Sequence, residues 1–175
     1  MIIWLVGLSG SGKSTIGKRL YDEIKEKEKA TVFIDGDEIR ELFKHDKYKY
    51  DYSIEARKIN GERIKQICYL LYKNRINVVA CVLSIFPEIL RWNRKKYSKY
   101  YEIFLDIGIE ELRIRDTKGL YKKAFDKKIK NVVGVDIDFP RPINPDLIID
   151  IKDQKEGVEY CVKKIFNHLQ LNTKI

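Results

Sequence analysis

The run GLSGSGKS at positions 7–14 combines glycines, a lysine and a hydroxyl at a spacing suited to binding phosphate groups. It follows a short apolar stretch at 2–6 and precedes a segment with helical periodicity. Glycines allow successive backbone N–H groups to turn inward around an anion, and the following helix adds the positive end of its dipole. Lys13 would reach the β- and γ-phosphates, and Ser14 would place its hydroxyl on Mg²⁺. A Gly/Ser turn between a strand and a helix would need neither residue, so the run predicts a phosphate-binding loop.

Asp35 and Asp37 come directly after the second predicted strand. The carboxyl ends of parallel strands share one edge of a sheet, so both carboxylates should face the crevice of the phosphate loop. There they could orient the waters of Mg²⁺ and accept a proton from an attacking hydroxyl. The third predicted strand ends in Ser84 without a carboxylate, so we expect Ser14 and the Asp35 region to hold Mg²⁺, ahead of Asp106 after the fourth strand. The alternative is an Asx turn followed by a helix N-cap, for which Asp-Gly-Asp is equally typical.

Arg57 and Asn60 lie three residues apart in a predicted helix. On one helix face, a guanidinium and an amide could bind an anion and a ribose, although a solvated face is the commoner role of such a pair. Tyr48, Tyr50 and Tyr52, just before this helix, are interleaved with Lys47 and Lys49. They could stack on nucleic-acid bases, but such a loop is more often plain surface.

Elsewhere, short apolar runs alternate with helical patterns. The predicted strands lie near 2–6, 31–34, 76–83, 101–105 and 147–151, and the predicted helices near 13–27, 37–44, 53–74, 87–98, 109–116 and 155–170. This alternation predicts one α/β domain over residues 1–175, with a five-stranded parallel sheet and helices on both of its faces.

The segment 117–146 interrupts this alternation, because it is rich in lysine and then in proline. Long irregular segments in compact domains are usually lids or binding segments. We expect a lid that orders over bound nucleotides and excludes water. The cations from Arg115 to Lys123 could close over the transferring phosphoryl group, although a flexible Lys-rich loop would have the same composition.

Composition and charge argue against a nucleic-acid-binding, exported or membrane protein. The formal net charge is +9, but the lysines are spread along the chain, which indicates a solvated surface rather than a nucleic-acid-binding patch. Three cysteines without metal-ligand or C-x-x-C spacing favour reduced thiols in a cytoplasmic protein. The longest apolar run is too short to span a bilayer, and the phosphate loop begins too early to follow a signal peptide. We therefore expect neither export nor a membrane partner.

Together these motifs resemble the adenylyl-sulfate kinases (APS kinases), which transfer the γ-phosphoryl group of ATP to the ribose 3′-hydroxyl of adenosine 5′-phosphosulfate (APS). The likeness covers nearly the whole chain. Its runs are GLSGSGKST at 7–15, IDGDEIR at 34–40, YSIEARKIN at 52–60, RDTKGLYKKAFDKKIKNVVGVD at 115–136 and FPRPINPDL at 139–147. The run that opens at 115 is the most specific to the family.

The resemblance implies a phosphate-loop kinase fold of the nucleotide-kinase type, with ATP and Mg²⁺ as cofactors and a small nucleotide as the other substrate. ATP would contact Gly7, Leu8, Ser9, Gly10, Ser11, Gly12, Lys13, Ser14, Thr15 and Arg115. The acceptor would contact Asp37, Arg40, Tyr52, Arg57, Asn60, Lys122, Lys123 and Val132. The catalytic residues would be Lys13, Asp35, Asp37 and Ser84. In the family, the serine matching Ser84 has been described as a phosphoserine intermediate, although in-line transfer needs no covalent step. We also allow for a homodimer.

Three departures from the family bear on the acceptor. Family members sandwich the acceptor's adenine between two phenylalanines, whereas Tyr52 and Val132 stand at those positions here. One stacking face, worth ~1–3 kcal/mol per base, is thereby lost. The run IFPE at 85–88 replaces the family's Pro, aromatic and Arg, and Ala56 replaces an Asp.

We rank APS first as acceptor, which would place the protein in sulfate assimilation. The alternative is the same chemistry on another nucleotide conjugate, such as cytidine diphosphoramidate in surface-polysaccharide modification. A nucleotide-gated module that binds RNA or protein is a third hypothesis, from a different class.

Overall fold

The computed structural model describes residues 1–43, 51–151 and 157–172, with side chains through Leu169. The strands form one parallel sheet in the order β2-β3-β1-β4-β5. They are β1 Ile2–Val6, β2 Thr31–Asp35, β3 Asn77–Val82, β4 Tyr100–Asp106 and β5 Leu147–Asp150. The predicted sheet is confirmed, and each strand agrees to within one residue at either end.

Strand β1 lies at the centre of the sheet, and its side chains are fully buried. Successive side chains of a strand point to opposite faces. β1 therefore contributes Ile3 and Leu5 to one hydrophobic core, and Ile2, Trp4 and Val6 to the other. A strand buried on both faces must be apolar throughout, and IIWLV meets that requirement.

Helices cover both faces of the sheet, as predicted. They are α1 Lys13–Lys27, α2 Gly36–Leu42, α3 Ile54–Lys73, α4 Pro87–Lys96, α5 Ile109–Ile114, α6 Leu120–Phe125 and α7 Val158–Asn172. Residues of α1, α5, α6 and α7 join the core that contains Leu5, while residues of α2, α3 and α4 join the core that contains Trp4.

Helix α6 lies inside the segment that the sequence predicts to be irregular. It begins after Gly119, whose φ is 68°. The carboxylate of Asp116 accepts hydrogen bonds from the backbone N–H groups of Leu120, at 2.8 Å, and Lys122, at 3.0 Å. A left-handed glycine and a capping carboxylate are sufficient to start a helix. The prediction of an irregular segment was wrong here because so short a helix shows little periodicity.

The end of the predicted lid is fastened to β4. Both guanidinium nitrogens at the tip of Arg141 donate to the carboxylate of Asp106. The carboxylate of Asp146 accepts two hydrogen bonds from Arg94, at 3.0 and 3.1 Å, and one from the backbone N–H of Glu102, at 2.8 Å. Because these contacts hold 139–146 against the sheet, the lid hypothesis applies to the residues before them.

The three cysteines are free and buried, in agreement with the predicted reduced thiols. Burial raises the pKa of Cys68 to about 12, so its thiol is protonated and unreactive at neutral pH. In the described part of the chain, no helix has both the length and the apolar character needed to cross a membrane.

Candidate active site

A cavity of about 970 Å³ opens where β1, β2 and β3 end. Its walls come from the phosphate loop, the start of α2, α3, the residues after β3 and the segment 112–133. The predicted site residues that line it are Ser9, Gly10, Gly12, Lys13, Ser14, Thr15, Asp35, Asp37, Arg40, Tyr52, Arg57, Asn60, Ser84, Arg115, Lys123 and Val132. Those outside its lining are Gly7, Leu8, Ser11 and Lys122. The structure therefore brings most of the predicted ATP and acceptor residues to one cavity.

The phosphate loop has the backbone that its glycines predict. Gly10 and Gly12 have φ values of 78° and 88°, a region that other residues rarely adopt. Gly12 is the N-cap of α1, so the loop leads directly into the N-terminus of a 15-residue helix. An anion in the loop would lie at the positive end of this helix dipole.

Lys13 lies across the loop, with its ammonium group 2.7 Å from the carbonyl oxygen of Leu8 and 3.5 Å from the hydroxyl of Ser11. Burial lowers the pKa of Lys13 to about 8, and the carboxylates of Asp35 and Asp37 oppose that shift. A partly buried ammonium group interacts with an anion more strongly than a fully exposed one, because less water screens the pair. Lys13 is therefore well placed to gain from a bound polyphosphate.

Ser14 and Asp35 meet at the mouth of the loop, with the serine hydroxyl 2.5 Å from Oδ2 of the carboxylate. The other oxygen, Oδ1, accepts a hydrogen bond of 2.9 Å from the backbone N–H of Asp37 and caps α2. The capping interpretation is thus confirmed for Asp35, but it uses only one of the two carboxylate oxygens. The side chain of Asp37 is exposed in the same cavity.

This pair of oxygen donors fits Mg²⁺, which proteins typically hold through one or two side chains while waters and substrate phosphates complete the octahedron. Across residues 1–43, 51–151 and 157–172, no group of three or more His, Cys, Asp or Glu side chains forms a metal site. An all-protein cage is therefore absent from this part of the chain, and a hydroxyl beside a carboxylate is the donor set available at the loop.

Tyr52 lines the cavity and is flanked by two guanidinium groups. The guanidinium carbons of Arg40 and Arg57 lie 4.9 and 5.5 Å from the centre of its ring. Arg57 also donates to the carbonyl oxygens of Tyr52, at 2.8 Å, and of Asn131, at 2.7 Å. Burial lowers the pKa of Arg57, and the charge of Arg40 adds to that shift. Arg57 therefore joins α3 to the segment that carries Val132. Tyr48 and Tyr50 lie outside the described residues.

Asn60 lies one turn beyond Arg57 and is only 8% exposed. Its amide nitrogen donates to the carbonyl of Gly36 at 3.0 Å, which ties α3 to the start of α2. Its carbonyl oxygen, Oδ1, has no hydrogen-bond partner among the described residues. Leaving a buried acceptor unpaired costs roughly 1–3 kcal/mol, so a ligand that donated to this oxygen would gain affinity.

Ser84 follows β3 with a φ of 54°, which is uncommon for a residue with a side chain. Its hydroxyl accepts a hydrogen bond of 2.8 Å from the indole N–H of Trp4. Trp4 also lines the cavity, although sequence reasoning treated it only as core. No signal in a buried apolar strand distinguishes such a residue from its neighbours.

The segment after α5 supplies the last wall. Arg115 pairs with Glu111, at 2.7 Å, while Lys123 and the buried Val132 line the cavity. Tyr121 was not predicted as a site residue, yet its hydroxyl donates to the carbonyl of Ser9 in the phosphate loop at 2.7 Å. The two residues are 112 positions apart, so no local pattern could have revealed this contact.

Known proteins are similar to this chain in both sequence and fold. The model of the adenylylsulphate kinase family matches residues 1–150. The cytidine diphosphoramidate kinase of Campylobacter jejuni is 42% identical over 94% of this chain and 95% of its own length. The adenylyl-sulfate kinase of Pseudomonas aeruginosa is 35% identical over 98% of this chain and 86% of its own length.

A solved structure extends the likeness to three dimensions. The Mycobacterium tuberculosis APS kinase, in complex with AMPPNP and APS, superposes with a TM-score of 0.81 at 27% identity, covering 97% of this chain and 96% of that one. Since the family model matches far more than half of the sequence, this chain is a kinase of the adenylylsulphate kinase family, as its motifs predict.

Proposed function

We propose that the protein transfers the γ-phosphoryl group of ATP to the ribose 3′-hydroxyl of a nucleotide conjugate, and that this conjugate is of the cytidine diphosphoramidate type. The observation that carries the proposal is the shared cavity. Residues of the phosphate loop line it, and so do Arg40, Tyr52 and Arg57. A donor nucleotide on the loop and an acceptor beside these residues would meet inside a single cavity.

The residues have separate roles in this proposal. The loop N–H groups and Lys13 bind the phosphates of ATP and stabilise the charge that spreads over the transferring group. Ser14 and Asp35 would hold Mg²⁺, which supplies charge neutralisation at the β- and γ-phosphates when it is bound. Asp37 accepts the proton of the attacking hydroxyl. Arg40 and Arg57 bind the anionic part of the acceptor.

We assign no covalent role to Ser84. In-line transfer places the attacking oxygen directly on the γ-phosphorus and needs no phosphoserine. The hydrogen bond from Trp4 instead holds the serine hydroxyl at the end of β3, where it shapes the cavity.

Two observations favour the cytidine conjugate as acceptor. The curated relative with 42% identity is a cytidine diphosphoramidate kinase. In addition, an aliphatic side chain, Val132, lines the cavity where the family resemblance places a second aromatic. A purine loses more contact than a pyrimidine when a stacking face is missing, since its ring system is larger. This reverses the ranking from sequence, in which APS came first.

APS remains the second candidate, because the matching family model is that of the adenylylsulphate kinases. Tyr52, which lines the cavity, would still give the adenine of APS one aromatic stacking face. A role in sulfate assimilation would follow only if APS were the acceptor.

A coupled assay of ADP release separates the two acceptors. Purified protein is given ATP and Mg²⁺ with cytidine diphosphoramidate, CDP, APS or AMP, and kcat/KM is compared. We expect the highest value for cytidine diphosphoramidate, with the product phosphorylated on the ribose 3′-oxygen by ³¹P NMR. A preference for APS would replace our acceptor with the second candidate. ATP turnover on none of the four would refute the proposal.

A further inference from the structure

The hydroxyl of Tyr121 reaches from α6 to the phosphate loop, where it donates to the carbonyl oxygen of Ser9 at 2.7 Å. Tyr121 is only 2% exposed. Burial raises the pKa of Tyr121 to about 12, so the phenol keeps its proton and remains a donor at neutral pH. The first turn of α6, which carries Tyr121, is in turn held by the carboxylate of Asp116.

Two apolar contacts brace the same loop. A Cβ atom built on Gly134 would lie 3.3 Å from a methyl group of Leu8, so the backbone of the 117–138 segment packs closely on the loop. A Cβ atom built on Gly10 would lie 3.5 Å from a methyl group of Leu112 in α5. The loop is therefore supported by α5 and by a residue of the predicted lid, Gly134.

The direction of a carbonyl group matters in a loop of this kind. Phosphate is held by N–H groups that converge on it, and each carbonyl oxygen carries a partial negative charge that must point elsewhere. Ser9 lies within the turn between Gly7 and Gly12, where flexible glycines could let its peptide rotate. A buried donor bonded to the Ser9 carbonyl would fix that peptide in one orientation.

We propose that Tyr121 is a positioning residue of the phosphate loop, which holds the Ser9 carbonyl away from the bound phosphates and couples α6 to the occupancy of the loop. This inference rests on the proposed ATP site. Tyr121 also lines the cavity, and in this role it acts through its hydrogen bond to the loop. Because coupling is reciprocal, phosphate binding would stabilise α6 as much as α6 strengthens phosphate binding.

The full chain with Tyr121→Phe tests this inference, since the change removes one oxygen atom and keeps the ring. Tyr160→Phe, on the half-exposed face of α7, is the matched control. The probe is tripolyphosphate with Mg²⁺, measured by calorimetry well below the melting temperature. We expect Kd to rise about fivefold to tenfold in Tyr121→Phe, the scale of one lost hydrogen bond, and to stay unchanged in Tyr160→Phe.

In steady-state kinetics, we expect Tyr121→Phe to have a higher KM for ATP and an unchanged KM for the acceptor. A purely structural role for Tyr121 would lower the melting temperature and leave Kd for tripolyphosphate as in the wild type, which would overturn the inference. Tripolyphosphate has no acceptor part, so an error in the acceptor assignment would not affect this result. Failure of the wild-type protein to bind tripolyphosphate would instead refute the ATP site itself.

A second measurement needs no variant. Hydrogen exchange of the wild-type backbone is followed with and without tripolyphosphate. Coupling requires slower exchange in residues 119–125 as well as in residues 7–15. Protection of the loop alone, with α6 unchanged, would contradict the coupling.

Discussion

The hydroxyl of Ser14 lies 2.5 Å from Oδ2 of Asp35, while Oδ1 of the same carboxylate caps α2. A single side chain therefore joins the phosphate loop to the helix that carries Asp37 and Arg40. The two interpretations of Asp35, as a cap and as a metal ligand, are compatible because they use different oxygens. They can be separated by a substitution that keeps the cap.

Asp35→Asn makes that separation. The asparagine oxygen can still accept from the N–H of Asp37, so the free energy of unfolding should stay within about 1 kcal/mol of the wild type. The lost charge would weaken Mg²⁺ binding, and we expect kcat to fall roughly a hundredfold or more. Urea unfolding and a kcat series over Mg²⁺ concentration measure the two effects. Loss of stability with normal kcat would show that Asp35 is only a cap.

Asp37→Asn tests the proposed base. Only the backbone N–H of Asp37 takes part in the capping bond, so stability should be unchanged. We expect kcat to fall by roughly 10²–10⁴-fold, the range for removal of a general base. Glu38→Gln, the next residue and also exposed, is the control for a lost charge. Equal kcat in both variants would exclude Asp37 as the base.

Lys13 predicts a pH dependence of ATP binding. Burial lowers its pKa from 10.5 to about 8 in the protein without nucleotide. Phosphates bind the protonated amine, so Kd for ATP should rise above pH 8, by up to about tenfold per pH unit. Calorimetry over this range should show the rise in the wild type, while Lys13→Ala should bind weakly at every pH. The same rise in Lys13→Ala would assign the titration to another group.

Deprotonation of Lys13 weakens ATP binding as pH rises, but it has the opposite effect on the free energy of unfolding. Between pH 8 and 10.5 the unfolded chain holds the Lys13 proton while the folded protein without nucleotide releases it. The unfolded state binds more protons there, so the contribution of Lys13 to the free energy of unfolding becomes more favourable as pH rises. Lys13→Ala should lack this contribution in urea unfolding.

Val132→Phe tests the acceptor wall. If the acceptor base lies against this residue, a new ring should improve kcat/KM for APS relative to cytidine diphosphoramidate, by up to ~1–3 kcal/mol. Val132→Leu adds volume without an aromatic face and is the control for packing, since Val132 is buried. An equal response of both acceptors would mean that the base does not contact Val132.

Asp146→Asn asks whether 139–146 belongs to the moving segment. The change keeps an oxygen for the N–H of Glu102 but removes the charge that pairs with Arg94. We expect a loss of about 1 kcal/mol of stability, because the pair is partly exposed, with unchanged Kd for ATP. Asp138→Asn, at an exposed neighbouring position, is the control. Weaker ATP binding at full stability would place this segment in the lid.

The sequence was most informative where one physical rule acts locally. Alternating apolar runs predicted every strand of the sheet, and the spacing of Lys13 and Ser14 predicted a phosphate loop, in which Gly10 and Gly12 have positive φ. Contacts between residues far apart in the chain could not be predicted from the sequence. The bond from Tyr121 to Ser9 and the bond from Trp4 to Ser84 join residues 112 and 80 positions apart, and each needs the folded sheet to bring its partners together.

The indole of Trp4 gives the protein an internal fluorophore in its own cavity. It is fully buried, and its N–H is bonded to Ser84 at 2.8 Å, so a ligand that shifts this serine changes the polarity around an emitting group. The chain has two tryptophans, and the other, Trp92, lies in α4 and packs against Tyr69 and Tyr97. A Trp92→Phe protein would therefore keep one tryptophan, and with excitation that selects it over the 11 tyrosines, a stopped-flow trace of its fluorescence would time ligand binding in this cavity without any attached label.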